Sequence, residues 1–262
     1  MLRIPRIGVA LVAYASWAVS MLAPVPVQAD MLGAGGAHTC AIGAGGTIKC
    51  CGRNFYGGLG NGTMVDSMVP TDVAGITGAT AVAAGVYHSC AIVAGGQVKC
   101  WGRNDSGQLG DGTTNDRLTP VRVVGIGEAT AIAAGGSHTC AIMRGGAVHC
   151  WGGTYSLGNG TPDSSPVPVA VSGIHDASAI AAGVGFTCAI VGTGTVKCWG
   201  YYVFDEDETY IPQAVPGVDG VTSLVGAGHE VCALVAQGNI VCWQVESYEI
   251  PVEPIRVAGV TL

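Results

Sequence analysis

His88-Ser89-Cys90-Ala91-Ile92 is followed, across Ala94-Gly95-Gly96, by Gln97-Val98-Lys99-Cys100-Trp101-Gly102. Two short runs mirrored about a glycine turn read as an antiparallel hairpin. Cys90 and Cys100 stand symmetrically about that turn, which places them opposite each other on one face and within disulfide reach. Working outward, Ala79-Thr80-Ala81-Val82-Ala83-Ala84-Gly85 precedes the hairpin. Asn104-Asp105-Ser106-Gly107-Gln108-Leu109-Gly110-Asp111-Gly112-Thr113 and Pro120-Val121-Arg122-Val123 follow it. That makes four extended segments separated by glycine-rich turns.

Aligned on its cysteines, the chain divides into five such units, at about 29–78, 79–128, 129–176, 177–220 and 221–262. A period of 40–50 residues with four strands per repeat predicts a β-propeller, because one small sheet cannot bury both faces alone. The expected fold is all-β: a β-propeller of four-stranded blades, five in number, in a closed or partly open ring. Residues 30–262 then form a single repeat domain. Closure would come from the termini, with Gly259-Val260-Thr261-Leu262 and Met31-Leu32-Gly33-Ala34-Gly35 completing one sheet and removing an exposed edge.

Composition agrees. Glycine reaches 43 of 262 residues and charged residues only 11%, yet 49% are hydrophobic, which excludes a disordered chain. Residues 1–29 differ in kind: Arg3 and Arg6 precede an uncharged apolar stretch from Gly8 to Ala23, and Val27-Gln28-Ala29 gives a small-residue cleavage site. This reads as a signal peptide, so the protein is expected to be exported. A membrane anchor is the rival reading, disfavoured by Pro24 and Pro26, and no later segment is apolar enough to span. Removing the leader takes two of eleven basic residues and leaves nine against eighteen acidic ones, so the formal charge moves from −7 to −9. Phosphate neutralisation needs the opposite sign, so nucleic acid is not an expected partner.

The runs Gly85…His88-Ser89-Cys90-Ala91-Ile92, Val98-Lys99-Cys100-Trp101-Gly102-Arg103-Asn104 and Gly107-Gln108-Leu109-Gly110-Asp111-Gly112-Thr113 resemble the regulator-of-chromosome-condensation repeat family in a bacterial, exported form. The likeness is nearly intact in the second unit and large in the first and third. The fourth unit keeps Thr187-Cys188-Ala189-Ile190 and Val196-Lys197-Cys198-Trp199-Gly200 but loses the LGxGT turn, and the fifth keeps little beyond its cysteines and Trp243. The resemblance implies a propeller, usually of seven blades, and says little about function.

Ten cysteines fall into five pairs: Cys40 with Cys50, Cys90 with Cys100, Cys140 with Cys150, Cys188 with Cys198, and Cys232 with Cys242. In an exported protein these are expected disulfides. Zinc is disfavoured, since its sites use closer cysteine pairs with further ligands nearby, and no metal or other cofactor is expected. Cys51 stands where the other four units hold Trp. It is either a free thiol without consequence or a cross-linking point.

An active site would interrupt the repeat, since one site does not need five copies. His38, His88 and His138 recur two residues before a cysteine, with Phe186 and Glu230 in the later equivalents, which argues for a structural inter-blade hydrogen bond. The Asp105–Thr113 loop lacks the closing acid of a calcium loop, and its copies Asn61-Gly62-Thr63 and Asn159-Gly160-Thr161 are ordinary turn formers. No phosphate loop, nucleophile elbow, zincin motif or carboxylate pair stands out, and an enzyme is not expected.

The repeat fails most clearly at Tyr201-Tyr202-Val203-Phe204-Asp205-Glu206-Asp207-Glu208-Thr209-Tyr210. Its aromatics and acids suit a contact patch for a basic partner, though a solvated, degenerate loop would look the same. Tyr56, Asp105 and Tyr155 lie in equivalent loops and would extend the patch along one rim. The expected function is an exported binding scaffold whose rim loops meet a protein or a surface ligand. The alternatives are a guanine-nucleotide exchange factor-like regulator of a small GTPase, opposed by the leader, the cysteine pairs and the acidic charge, and a propeller enzyme.

Overall fold

A computed structural model describes residues 31–201, 210–245 and 255–256 of the chain. The leader expected over residues 1–29 and the closing segment expected at 259–262 lie outside the described residues.

Five four-stranded antiparallel sheets follow one another around a ring, so the protein is a five-bladed β-propeller. The first blade holds β1 (Leu32–Ala34), β2 (His38–Ile42), β3 (Ile48–Gly52) and β4 (Ser67–Asp72). The second holds β5 (Ala81–Ala84), β6 (His88–Val93), β7 (Gln97–Gly102) and β8 (Arg117–Arg122). The third holds β9 (Ala129–Ala134), β10 (His138–Met143), β11 (Val148–Gly152) and β12 (Ser165–Ala170). The fourth holds β13 (Ala177–Ala182), β14 (Phe186–Val191), β15 (Thr195–Gly200) and β16 (Gln213–Ala214). The fifth holds β17 (Val221–Ala227), β18 (Glu230–Val235), β19 (Ile240–Gln244) and β20 (Ile255–Arg256).

The hairpin signal of the sequence sets the register. Cys90 pairs with Cys100, Ser89 with Trp101 and His88 with Gly102, and the same alignment recurs in every blade. The turn needs glycine: Gly96 has φ +70°, and a Cβ there would lie 2.5 Å from the Cα of Glu128, the residue that precedes the first strand of the third blade. The expected cysteine pairs are the observed ones. Cys40 and Cys50 stand 2.04 Å apart at their sulfurs, Cys90 and Cys100 2.13 Å, and Cys140 and Cys150 2.11 Å. Cys188 and Cys198 follow at 2.08 Å, and Cys232 and Cys242 at 2.05 Å, so all five pairs lie at disulfide distance. Closing so short a loop restrains the unfolded chain by about 2–3 kcal/mol in the chain-entropy picture.

The core sits between blades rather than within them. Cys90, Val98, Cys100 and Leu109 of the second blade, for example, bury against Ala141 and Trp151 of the third. Similar clusters join the first blade to the second, the third to the fourth and the fourth to the fifth. Backbone hydrogen bonds tie the inner turns together: Gly36 N donates to Gly85 O (3.1 Å), Val86 N to Gly135 O (3.2 Å), Gly136 N to Gly183 O (3.2 Å) and Val184 N to Gly228 O. Among the described residues no buried cluster joins the fifth blade to the first. Ala41 is exposed where Ala91, Ala141, Ala189 and Ala233 are fully buried, and Val225 is 55% exposed. Cys51 is the free cysteine and lies at this same uncovered face, half-buried. The Trp at its position in later blades packs on the preceding blade, as Trp101 and Trp151 do, a contact the first blade does not make among the described residues.

Candidate binding rim

Each blade runs up its first strand, down its second, up its third and down its fourth. The loops joining first to second and third to fourth strands therefore share one side of the ring, opposite the disulfide-bearing hairpin turns.

On that side a buried asparagine shapes the loop. Asn104 Oδ1 accepts from Leu109 N (2.9 Å), while its amide donates to Thr113 O and Asn115 O (both 3.0 Å). Asn54 does the same in the first blade with Leu59, Thr63 and Val65. Leu59, Leu109 and Leu157 anchor the loops in the inter-blade core with no exposed surface. Asp111 turns its carboxylate onto Thr113 and Arg117, which makes it a loop fastener.

The fastened loops lock adjacent blades. Gly58 O accepts from Trp101 Nε1 (2.8 Å) and from Ser89 Oγ (3.0 Å) of the second blade, and Gln108 O accepts equally from Trp151 Nε1 and Thr139 Oγ1 of the third (both 2.9 Å). With their protons committed to carbonyls, Ser89 and Thr139 hydroxyls accept from the histidines: His38 Nε2 lies 2.6 Å from Ser89 Oγ and His88 Nε2 2.9 Å from Thr139 Oγ1. His138 Nε2 meets Thr187 Oγ1 at 2.7 Å. These are inter-blade structural bonds. Burial pushes the imidazoles down, to about 4 for His38 and His138 and to about 3 for His88, where the neighbouring histidines add to the effect.

The described residues among those singled out in the sequence, Tyr56, Asp105, Tyr155, Tyr201 and Tyr210, fall into two clusters. Tyr56 meets Tyr87 at 5.2 Å between ring centroids, and the Arg103 guanidinium lies over both rings, 5.1 and 5.7 Å from their centroids. Arg103 Nη2 pairs with Asp105 Oδ2 at 2.6 Å. Burial pushes the Asp105 carboxyl up, but the hydrogen bond and charge of Arg103, with Gln108 and Ser106, outweigh it and hold the group below its ordinary value. Tyr87 and Arg103 were not anticipated. The signal for Tyr87 was present, since Ala37, Ser137, Gly185 and His229 occupy its place elsewhere.

The second cluster joins the third and fourth blades. Tyr155 lies 5.2 Å from Tyr201 and 5.6 Å from Tyr210, with the rings tilted at 62° and 47°. The third-blade loop is two residues shorter than its counterparts and carries Thr154 in place of the asparagine. Tyr155 N instead donates to Pro162 O (3.0 Å), and Gly160 N to Tyr210 O (3.1 Å). Tyr202, Asp205, Glu206, Asp207 and Glu208 lie outside the described residues. Among the described residues there is no group of three or more metal-ligating side chains and no helix long and apolar enough to cross a membrane.

The regulator of chromosome condensation (RCC1) repeat pattern matches residues 46–92, 95–142 and 145–190, more than half of the chain. This chain belongs to the RCC1 repeat family. A second form of the RCC1 repeat matches 79–108 and 129–156. No curated protein is matched by the sequence. Among solved structures, human WBSCR16 is 23% identical with a TM-score of 0.72, over 85% of this chain and 65% of its own. Prp20p of Saccharomyces cerevisiae, whose structure was described with its binding to Gsp1p and histones, is 19% identical with a TM-score of 0.70, over 87% of this chain and 63% of its own. The CRINKLY WD40 ectodomain of the Arabidopsis thaliana receptor kinase ACR4 is 20% identical with a TM-score of 0.53, over 85% of this chain and 66% of its own. The RCC1-repeat chain thus spans less than two thirds of these solved chains. At these identities the likeness is one of fold.

Proposed function

We propose that the protein is an exported, non-catalytic binding scaffold that captures a protein partner on the rim formed by its first-to-second and third-to-fourth strand loops. The supporting observation is the gathering of five tyrosines into two clusters on that one side. Tyrosine gives a large, rigid contact area with a polar tip and is enriched where proteins bind one another. The repeat supplies the rigid frame and its irregular loops supply the variation, the usual division of labour in such scaffolds. Five cysteine pairs at disulfide distance fit an oxidising destination. The sequence joining Tyr201 to Tyr210 carries four acids and the chain is acidic overall, which favours a basic partner.

Affinity capture from the extracytoplasmic fraction of the native host, using the oxidised protein, tests this. The substitutions Tyr155→Asn and Tyr201→Ala together are expected to abolish capture of the partner held by the unaltered protein. Retention of that partner at the unaltered level overturns the rim as the binding surface.

A further inference from the structure

Within the chain, one blade docks on the next in a single way, four times over. Each later blade turns a leading face to the blade before it, and Ala91, Ala141, Ala189 and Ala233 of those faces are fully buried on the trailing face they meet. Two faces are left over, because among the described residues no strand of the fifth blade packs on one of the first as β17 packs on β13. The leading face of the first blade shows Ala41, Leu32 and the half-buried Cys51, whose counterparts Ala91, Val82 and Trp101 are buried. The trailing face of the fifth shows the exposed Val225 and the half-buried Cys232 and Cys242, where the four earlier cysteine pairs are buried.

These two faces match each other. Elsewhere the hydroxyl opposite a histidine gives its proton to a loop carbonyl, as Ser89 does to Gly58 O and Thr139 to Gln108 O, and the same carbonyl accepts from the indole of the next blade. The fifth unit's sequence lacks the LGxGT turn that presents this carbonyl, with no glycine between Gln244 and Ile255. On the first blade the indole is gone as well, replaced by Cys51, while Thr39 keeps the hydroxyl. At the histidine position the fifth blade carries Glu230, which is exposed and, when ionised, only accepts. A carboxylate there takes the proton that the carbonyl takes elsewhere, so donor and acceptor balance again. Between the third and fourth blades the change is unmatched: the loop is shortened, Trp199 is kept, and its Nε1 is buried without a hydrogen-bond partner among the described residues.

We propose that the leading face of the first blade binds the trailing face of the fifth blade of a second copy of this chain, head to tail, with Glu230 accepting from Thr39 across the interface. The chain already makes this kind of contact four times, and the two remaining faces complement each other without meeting in one molecule. Such a contact is heterologous, so reciprocal docking gives a closed dimer and open docking gives longer arrays. It uses neither tyrosine cluster and stands apart from the rim reading.

Sedimentation velocity of the oxidised protein tests this with two variants. Ala41→Glu puts a charge on the leading face and Val225→Glu puts one on the trailing face; both residues are exposed, so neither charge enters the core of the single chain. The unaltered protein is expected to pass from monomer to dimer or larger as its concentration rises to about 0.1 mM. Each variant alone should associate at least about tenfold more weakly, since the interface would bury an unpaired carboxylate. The two variants mixed should form a one-to-one dimer, because each keeps the face that the other has lost. Thr114→Glu, on an exposed loop of the second blade, is the control and should associate like the unaltered protein. Cys51, reactive in the dilute protein, should become shielded from a thiol reagent as association proceeds. A protein that stays monomeric throughout overturns the proposal. Either glutamate variant associating like the unaltered protein also overturns it, as does a mixture no more associated than its components, or Cys51 reactivity unchanged by association.

Discussion

The Nε2 atom of His138 lies 2.7 Å from the Oγ1 atom of Thr187 on the next blade. One interface further on both partners change together: Phe186 takes the histidine's place and Val231 the threonine's, and the two enter one apolar cluster. A buried polar pair is satisfied only as a pair, whereas two apolar groups of fitting shape need no partner. His138→Phe alone should therefore cost about 1–3 kcal/mol, by stranding the Thr187 hydroxyl. Adding Thr187→Val should recover most of that loss, which denaturant unfolding of the four proteins in a double-mutant cycle would measure. Strict additivity of the two costs would show that the residues do not act as a pair.

The same histidines predict how stability depends on pH. Their folded values are depressed to about 4, 3 and 4, below the ordinary 6.5, so between these limits the unfolded chain binds more protons than the folded one. Stability is therefore unaffected by these groups above pH 6.5 and falls as pH drops toward 4, with a slope approaching three protons. Urea unfolding between about pH 7 and 5, above the range where most carboxylates titrate, checks this. The His138→Phe/Thr187→Val protein should show a slope smaller by about one proton in that window.

Cysteine chemistry gives a third expectation. The native, oxidised protein should offer a single reactive thiol, Cys51, and eleven after unfolding and reduction. Replacing Cys90 and Cys100 together by alanine should lower stability by about 2–3 kcal/mol, and the same holds for Cys140 with Cys150. Cys51→Ser should stay within about 0.5 kcal/mol, because the residue is half-buried on the uncovered face of the first blade. Thiol titration and denaturant melts read both numbers.

How far the residues alone carried depended on the range of each interaction. Cys90 and Cys100 face each other because a local turn sets their register, so the hairpin, the blade and the repeat follow from spacing. Cys40 with Cys50 and Cys232 with Cys242 were legible on the same ground, even in the fifth unit where little else of the repeat survives. The histidine role was legible too, because His38, His88 and His138 recur in one place. Tyr87 was not: it meets Tyr56 from another blade, 31 residues away, and only the ring curvature brings them together. The loss of two residues before Leu157 is visible in the sequence, but not the positive φ of Tyr155 or the orphaned Trp199 Nε1 that accompany it. The matched exchange of histidine and threonine for Phe186 and Val231 becomes meaningful only once the blades are adjacent.

The decisive measurement for a binding rim is site-specific photo-crosslinking in the native host, with the probe placed in separate proteins at Phe55 and Tyr201 on the rim and at Ala44 and Ala94 on the opposite hairpin turns, all four exposed. Discrete adducts with a partner from Phe55 and Tyr201, and none from Ala44 or Ala94, are the predicted result; adducts confined to Ala44 and Ala94 would contradict it.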